Sequence, residues 1–415
     1  MTAANALRAI PTDDRAWLMA ALGDALSGGT PVLPVPADVD DRAAAHAADE
    51  IAALHRAELP HGTALVVRTS GSSGVPKAVA LSAEALRSSA EATHERFGGA
   101  GQWLVALPTH LISGLQMLVR SEVSGLPPVF FDGPFDAELL LRASEVMEAD
   151  RRYVSLVPVQ FSRLLDLAER DRGAADALRA FDAVLVGGQS VPLELRRRAH
   201  ELGIALKRSY GMTETAGGCV YDGVEIGDTR VRIRGGEVQL AGPSLALGYV
   251  GDPELTADRF VEEAGRDGAT TRWYRTGDAG ELLGGMLTVT GRLDRVIVSG
   301  GVNVSLDEVE RAAREHAGWE SAVAVGVPHP EWGERVGLVV ETGGEGSLAF
   351  DEVRAALRER LGAAAAPEWA TETDELPRLA GGKPDLRAIE AWISRLRDSF
   401  SETRRGRHAA EEGRA

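Results

Sequence analysis

A chain of 415 residues, 44% of them hydrophobic, is long enough to bury a large core and to divide into two or more domains. Its net charge of -17 excludes nonspecific nucleic-acid binding, because so acidic a surface repels a phosphate backbone; an anionic nucleotide would have to be met by a local positive pocket. No run of about 18 apolar residues occurs, the opening MTAANALRAIPTDDR lacks a basic stretch followed by an apolar one, and the single cysteine, Cys219, excludes an internal disulfide. The expectation is a cytoplasmic protein with no membrane or nucleic-acid partner, and homo-oligomerisation stays open.

In chain order, helices are predicted over Asp14–Leu26 and Asp41–Leu59, around a stiff connector from Pro31 to Pro36. Ala64–Val67 reads as a buried strand. Beyond it, helix Ala83–Phe97, strand Trp103–Leu107, helical stretch Leu115–Val119, strands Tyr153–Val157 and Ala183–Val186, helix Leu193–Leu202 and strand Ile204–Leu206 alternate. This is the pattern of an α/β sheet with crossover helices, whose ligands sit beyond the carboxyl ends of the strands. Short strands at Arg230–Arg234, Glu237–Leu240 and Gly285–Thr290, set between glycine turns, predict a small β subdomain over 229–291. Helix Leu306–His316, strands Ala322–Val327 and Val336–Glu341, helix Phe350–Leu361, strand Trp369–Thr373 and helix Pro384–Ser399 predict a compact second domain. The fold class is therefore α/β: a large N-terminal domain, 1–293, with parallel sheets and a small β subdomain, then a smaller α+β C-terminal domain, 294–400. The polar segment 401–415 reads as a disordered tail.

Chemistry concentrates where strand Ala64–Val67 ends. Thr69, Ser70, Ser72 and Ser73 offer hydroxyls, Gly71 and Gly74 let the backbone turn tightly toward an anion, and Lys77 adds a full charge. The pattern G-x-x-x-x-G-K-[ST] is not met, so this is a phosphate loop of another kind, with a plain Gly/Ser surface turn as the alternative. Downstream stand Tyr210-Gly-Met-Thr-Glu-Thr215, Trp273-Tyr-Arg-Thr-Gly-Asp278, Gly291-Arg-Leu-Asp-Arg-Val-Ile297 and Gly381-Gly-Lys-Pro-Asp385. Taken singly each has an ordinary reading: Glu214 as a solvated carboxylate, Tyr210 as a core aromatic, Asp278 as an Asp capping its own turn, Lys383 as a solvated lysine. No His/Cys cluster has zinc spacing.

In their order and spread, from about residue 63 to about residue 390, these motifs resemble the acyl-adenylate-forming superfamily, which holds acyl- and aryl-CoA ligases, the adenylation domains of peptide synthetases, and luciferases. The resemblance implies an acid–thiol ligase using ATP, Mg²⁺ and coenzyme A, with a small-molecule carboxylic acid as partner. It implies that Lys77 and the loop hydroxyls hold the β- and γ-phosphates, that Glu214 binds the metal, that Thr213 meets the α-phosphate, and that Tyr210, beside Gly211, stacks on adenine. Asp278 and Arg292 match the family's ribose ligands, Asp294 its hinge, and Lys383 its catalytic lysine on a mobile C-terminal domain.

The thiol would enter beside Ser299-Gly300-Gly301, where absent side chains leave room for a pantetheine arm, or these residues are a plain glycine turn. His110 resembles the histidine that CoA ligases place beside the acyl group, with a buried structural histidine as the alternative. Gly187, Gly188, Gln189, Gly218 and Cys219 would line the rest of the acyl pocket, Cys219 as wall rather than catalytic thiol. Arg120 would meet a second carboxylate or form a surface salt bridge. The short N-terminal lobe, LPTHLISGLQMLVRS and YGMTETAGGCVYDG resemble the o-succinylbenzoate:CoA ligase group of menaquinone biosynthesis, in its short actinobacterial form. Ser73, Ala78 and Gln189 depart from that group's pattern. A ligase for another aryl acid, a carrier-protein-loading enzyme and a non-catalytic nucleotide-binding protein are the alternatives.

Overall fold

The computed structural model describes residues 7–36, 51–69, 77–265, 268–342, 349–379 and 383–396. The chain divides into two compact units between Val289 and Thr290, whereas the sequence placed the join after residue 293. Among the described residues no helix is long and apolar enough to cross a membrane.

The first unit carries three sheets. In one, strands Arg8–Pro11, Val32–Val35 and Thr63–Thr69 run parallel, and Lys77–Ser82 and Gly248–Tyr249 follow antiparallel. Val32–Val35 corrects the expected connector between Pro31 and Pro36. Val32 and Leu33 are fully buried, and the strand pairs along its whole length with Arg8–Pro11 but with Thr63–Thr69 only at Val32. Pro34, which has no N–H to give, therefore sits where only one neighbour must be satisfied. Helix Arg15–Leu26 starts where the Asp14 carboxylate accepts from the Trp17 N–H. Of the expected helix Asp41–Leu59, 51–56 is helical, and the part before 51 lies outside the described residues.

The largest sheet runs in the order Val224–Glu225, Gly217–Tyr221, Leu206–Met212, Ala183–Val186, Arg152–Leu156, Gln102–Val105, Val129–Phe130, the last five strands parallel. Its side chains alternate between two cores. Trp103 and Tyr153 join the residues of the first sheet and of helices Ala83–Arg96 and Ile112–Ser124, while Leu104, Val154 and Val184 pack with helix Pro158–Arg170. The strand expected at Ile204–Leu206 instead begins at Leu206 and runs to Met212. It pairs parallel with Ala183–Val186 over its first half and antiparallel with Gly217–Tyr221 over its second. The motif that starts at Tyr210 thus lies on the strand rather than after it.

A third sheet is the small β subdomain: Arg230–Arg234, Glu237–Ala241, Thr270–Leu283 and Phe260–Ala264, with Met286–Arg292 also paired to Thr270–Leu283. In the second unit, strands Val302–Ser305, Val296–Ser299, Gly333–Glu341 and Val323–His329 form a sheet that Trp369–Thr373 joins through Gly333–Glu341. Helices Leu306–Ala313, Phe350–Leu361 and 386–396 accompany it. The expected tail 401–415 lies outside the described residues.

Candidate active site

Thr69 and Lys77 are cross-strand partners, and Arg68 pairs with Ala78, so the strands on either side of 70–76 are antiparallel neighbours. A P-loop, by contrast, runs from strand to helix. Ser70, Gly71, Ser72, Ser73 and Gly74 themselves lie outside the described residues. Strand Gly248–Tyr249 flanks the other side of Lys77–Ser82, and this puts the Lys77 ammonium 5.6 Å from the centre of the Tyr249 ring.

The Tyr210–Thr215 motif owes its shape to close backbone packing. A Cβ on Gly211 would strike the Gly217 carbonyl oxygen and come within 2.6 Å of the Gly218 Cα, so only glycine lets the two strands meet there. After Met212 a short 3-10 turn, Thr213–Thr215, is tied by Thr215 Oγ1, which accepts from the Met212 N–H at 3.0 Å and lies 2.7 Å from the Gly217 carbonyl oxygen. Gln116 Nε2 and Ser89 Oγ both donate to the Ala216 carbonyl, at 2.5 and 2.9 Å, anchoring the turn to two helices. Thr213 is buried within it. Glu214 is held at both ends: its carbonyl accepts from the Ala246 N–H at 2.8 Å and its Oε1 accepts from the Tyr249 hydroxyl at 2.8 Å.

Tyr210 and Asp278, from two of the four motifs, are joined directly. The tyrosine hydroxyl donates to Asp278 Oδ2 at 2.7 Å. Burial, then the Asp278 charge, pushes the Tyr210 pKa well up, so the phenol stays a donor. Within strand Thr270–Leu283, Thr276 Oγ1 accepts from the Asp278 N–H at 2.9 Å and donates to the Val238 carbonyl at 2.7 Å. Gly277 adopts φ +74° and donates to Glu237 Oε1 at 3.0 Å.

Four of the acyl-pocket candidates follow the carboxyl ends of parallel strands. Gly187, Gly188 and Gln189 follow Ala183–Val186, and His110 follows Gln102–Val105. Gly187 faces Ser209, whose Cβ would be 3.2 Å from an added Cβ, and a Cβ on Gly218 would lie 2.6 Å from the Tyr221 ring. Burial, then the Arg68 charge, lowers the His110 pKa, favouring the neutral ring. Cys219 packs with Val238, Leu240 and Leu287, and burial pushes its thiol up to about 12, which suits a wall and not a nucleophile.

Arg120 lies on helix Ile112–Ser124 and is only 2% exposed, which rules out the surface salt bridge. Its Nη2 donates to the Tyr221 hydroxyl at 3.3 Å, its guanidinium carbon is 4.7 Å from the centre of the Trp103 ring, and its Nε has no hydrogen-bond partner among the described residues. Burial lowers its pKa.

In the second unit Arg292 and Asp294 pair with each other, Nε to Oδ1 at 3.0 Å and Nη2 to Oδ2 at 2.9 Å. Ser299 pairs with Val302, so Gly300 and Gly301, at φ +58° and +81°, form the two-residue turn of a hairpin. A Cβ on Gly300 would lie 2.6 Å from the Trp332 ring, so the turn and its packing account for the glycines. Lys383 is exposed, and its carbonyl accepts from the Leu379 N–H at 2.8 Å; Gly381 and Gly382 lie outside the described residues.

Sequence reasoning missed Tyr249 and gave no role to Arg68 or to Tyr274 within their motifs. The chain has only 5 tyrosines, and Tyr210, Tyr249 and Tyr274 bring their hydroxyls to motif residues or to one another. Tyrosine scarcity was the one available signal.

The AMP-binding enzyme model matches residues 24–250 and the AMP-binding enzyme C-terminal domain model residues 308–383. A probable 2-succinylbenzoate–CoA ligase of Mycobacterium tuberculosis is 36% identical over 382 residues, which cover 90% of this chain and 94% of that protein. A feruloyl-CoA synthase of Amycolatopsis is 32% identical over 362 residues, 79% of this chain and 70% of that one. Among solved structures, an arginine-to-lysine variant of Escherichia coli MenE with bound OSB-AMS matches with a TM-score of 0.68 and 26% identity, covering 89% of this chain and 83% of the other.

Proposed function

Since the chain belongs to the AMP-binding enzyme family, we propose that it is an AMP-forming acid–CoA ligase whose acid is o-succinylbenzoate, a step of menaquinone biosynthesis. The observation that carries the reading is the meeting of Lys77 and Glu214 on one tyrosine, with Tyr210 bonded to Asp278 in the same unit. The acid is inferred from the near full-length similarity to the mycobacterial ligase.

In the first half-reaction a carboxylate oxygen of the acid bonds to the α-phosphorus of ATP and the bond to pyrophosphate breaks. In the second, the CoA sulfur bonds to the acyl carbon, AMP leaves, and the thiol proton passes to solvent. Neither step needs a protein nucleophile, and the chain's part is positioning and charge neutralisation. Lys77 and the hydroxyls of Thr69, Ser70, Ser72 and Ser73 hold the terminal phosphates. Asp278 accepts from the ribose hydroxyls, oriented by Tyr210, whose ring lies against adenine. Thr213 donates to the α-phosphate.

No group of three or more metal-ligating side chains occurs among the described residues. Mg²⁺ keeps its waters and phosphate oxygens and asks for one or two carboxylates; Glu214 would supply one, through the oxygen that its bond to Tyr249 does not use. When bound, the ion offsets phosphate charge. Arg120, a buried cation with no carboxylate bonded to it among the described residues, faces the second carboxylate that distinguishes o-succinylbenzoate from a simple aryl acid. Lys383 comes from a mobile C-terminal domain, hinged at Asp294, to stabilise charge growing at the α-phosphate; rotation about that hinge then clears the path for CoA, past Ser299, Gly300 and Gly301.

ATP–pyrophosphate exchange with o-succinylbenzoate, benzoate and ferulate tests the acid, and CoA against a phosphopantetheinyl protein tests the acceptor. Exchange strongest with o-succinylbenzoate and transfer to CoA are expected. Exchange only with another acid removes the substrate assignment, and no exchange with any acid removes the enzymatic one.

A further inference from the structure

Glu214 and Lys77 come from separate motifs 137 positions apart in the chain, yet the same side chain touches both. Tyr249 gives its hydroxyl to Glu214 Oε1 at 2.8 Å and its ring face to the Lys77 ammonium at 5.6 Å. Behind it stands Tyr274, whose hydroxyl lies 3.4 Å from that of Tyr249. Because the Tyr249 proton goes to the carboxylate, the Tyr274 hydroxyl is left to donate to the Tyr249 oxygen. The chain of donors therefore runs one way, from Tyr274 through Tyr249 to Glu214. Both phenols are buried, at 5% and 4% exposure.

The backbone carrying Tyr249 is itself fixed. Arg272 donates from Nη1 to the Ala246 carbonyl at 2.6 Å and from Nη2 to the Leu247 carbonyl at 2.8 Å, with its guanidinium 4.2 Å from the centre of the Phe260 ring. Ala246 in turn gives its N–H to the Glu214 carbonyl at 2.8 Å. One clamped segment thus holds Glu214 by main chain and side chain together.

We infer that Tyr249 is a positioning residue for nucleotide activation. Its hydroxyl occupies one oxygen of Glu214 and so aims the other at the metal on the phosphates, while its ring keeps the Lys77 ammonium at a set distance. This inference rests on the adenylation reading, because it presumes that Glu214 and Lys77 act on one metal-bound triphosphate.

Calorimetric titration of the full chain with ATP, with and without Mg²⁺ and without any acid, separates the two. Tyr249→Phe keeps the ring and removes the hydroxyl. It is expected to bind metal-free ATP like the parent and to lose about tenfold in affinity only when Mg²⁺ is present, as for loss of a hydrogen bond to a charged group. Tyr249→Leu removes the ring as well and is expected to weaken metal-free ATP binding by about two- to fivefold. In a Glu214→Gln background, Tyr249→Phe should add less than about twofold, since the carboxylate it orients is gone. Tyr249→Phe/Tyr274→Phe controls for the phenol left without an acceptor. Equal loss with and without Mg²⁺ would mean a merely structural tyrosine and overturn the inference, as would parent-like affinity in Mg²⁺. A parent that binds no ATP under either condition would overturn the adenylation reading itself.

Discussion

Replacing Arg120 with methionine should make the protein more stable and a worse o-succinylbenzoate ligase. Taking an ion out of water costs several kcal/mol even after relaxation. Against that, the described residues offer one hydrogen bond to a phenol at 3.3 Å and one ring face at 4.7 Å, each worth about 2 kcal/mol. Tyr221 does not become an orphan in the variant, because its hydroxyl is also 2.9 Å from Thr93 Oγ1. Methionine fills similar space without a charge, so a gain of about 1–3 kcal/mol is expected, raising Tm by about 1–2 °C per kcal/mol. If the guanidinium awaits a second carboxylate, the same change should raise KM for o-succinylbenzoate by at least about tenfold and leave KM for benzoate within about twofold. Thermal denaturation and initial rates with the two acids decide it. A variant that is less stable, with an unchanged KM for o-succinylbenzoate, would show the arginine to be a structural member of the core and refute the reasoning.

Gly211→Ala places a methyl against the Gly217 carbonyl and 2.6 Å from the Gly218 Cα, where backbone must yield. A loss of about 1–3 kcal/mol in thermal unfolding is expected, together with weaker ATP binding because Thr213 and Glu214 follow directly. His94 is buried, with its pKa held down to about 4 from an ordinary 6.5, first by burial and then by the Arg120 charge. The unfolded chain therefore takes up the proton first, and stability contributed by the neutral ring is complete above pH 6.5 and lost as pH falls toward 4. Denaturant titrations across that window should be flatter for His94→Leu; an unchanged slope would discount the histidine.

Much of the fold was legible because it rests on local pattern. Ala183–Val186 is a short apolar run buried on both sides, and helix Phe350–Leu361 and strand Trp369–Thr373 have the bounds that periodicity and turn residues suggest. Val32–Val35 was not legible because Pro34 argues against a strand unless its neighbours are known, and they lie at residues 8–11 and near 65. The start of Leu206–Met212 was misplaced since its second half is fixed by an antiparallel partner rather than by its own apolarity. For the site, the motifs named Lys77, Glu214, Tyr210 and Asp278, but what joins them did not show in sequence. Tyr249 has no motif of its own among those read, and the Tyr221 hydroxyl that Arg120 bonds lies a hundred residues further on.

The central claim, that residues of both units act on one ATP, is tested most directly by Lys383→Ala. In that variant, ATP–pyrophosphate exchange with o-succinylbenzoate should fall by at least about a hundredfold, while ATP affinity and thioester formation from the preformed acyl-adenylate stay within about threefold of the parent. Exchange at the parental rate would contradict the account.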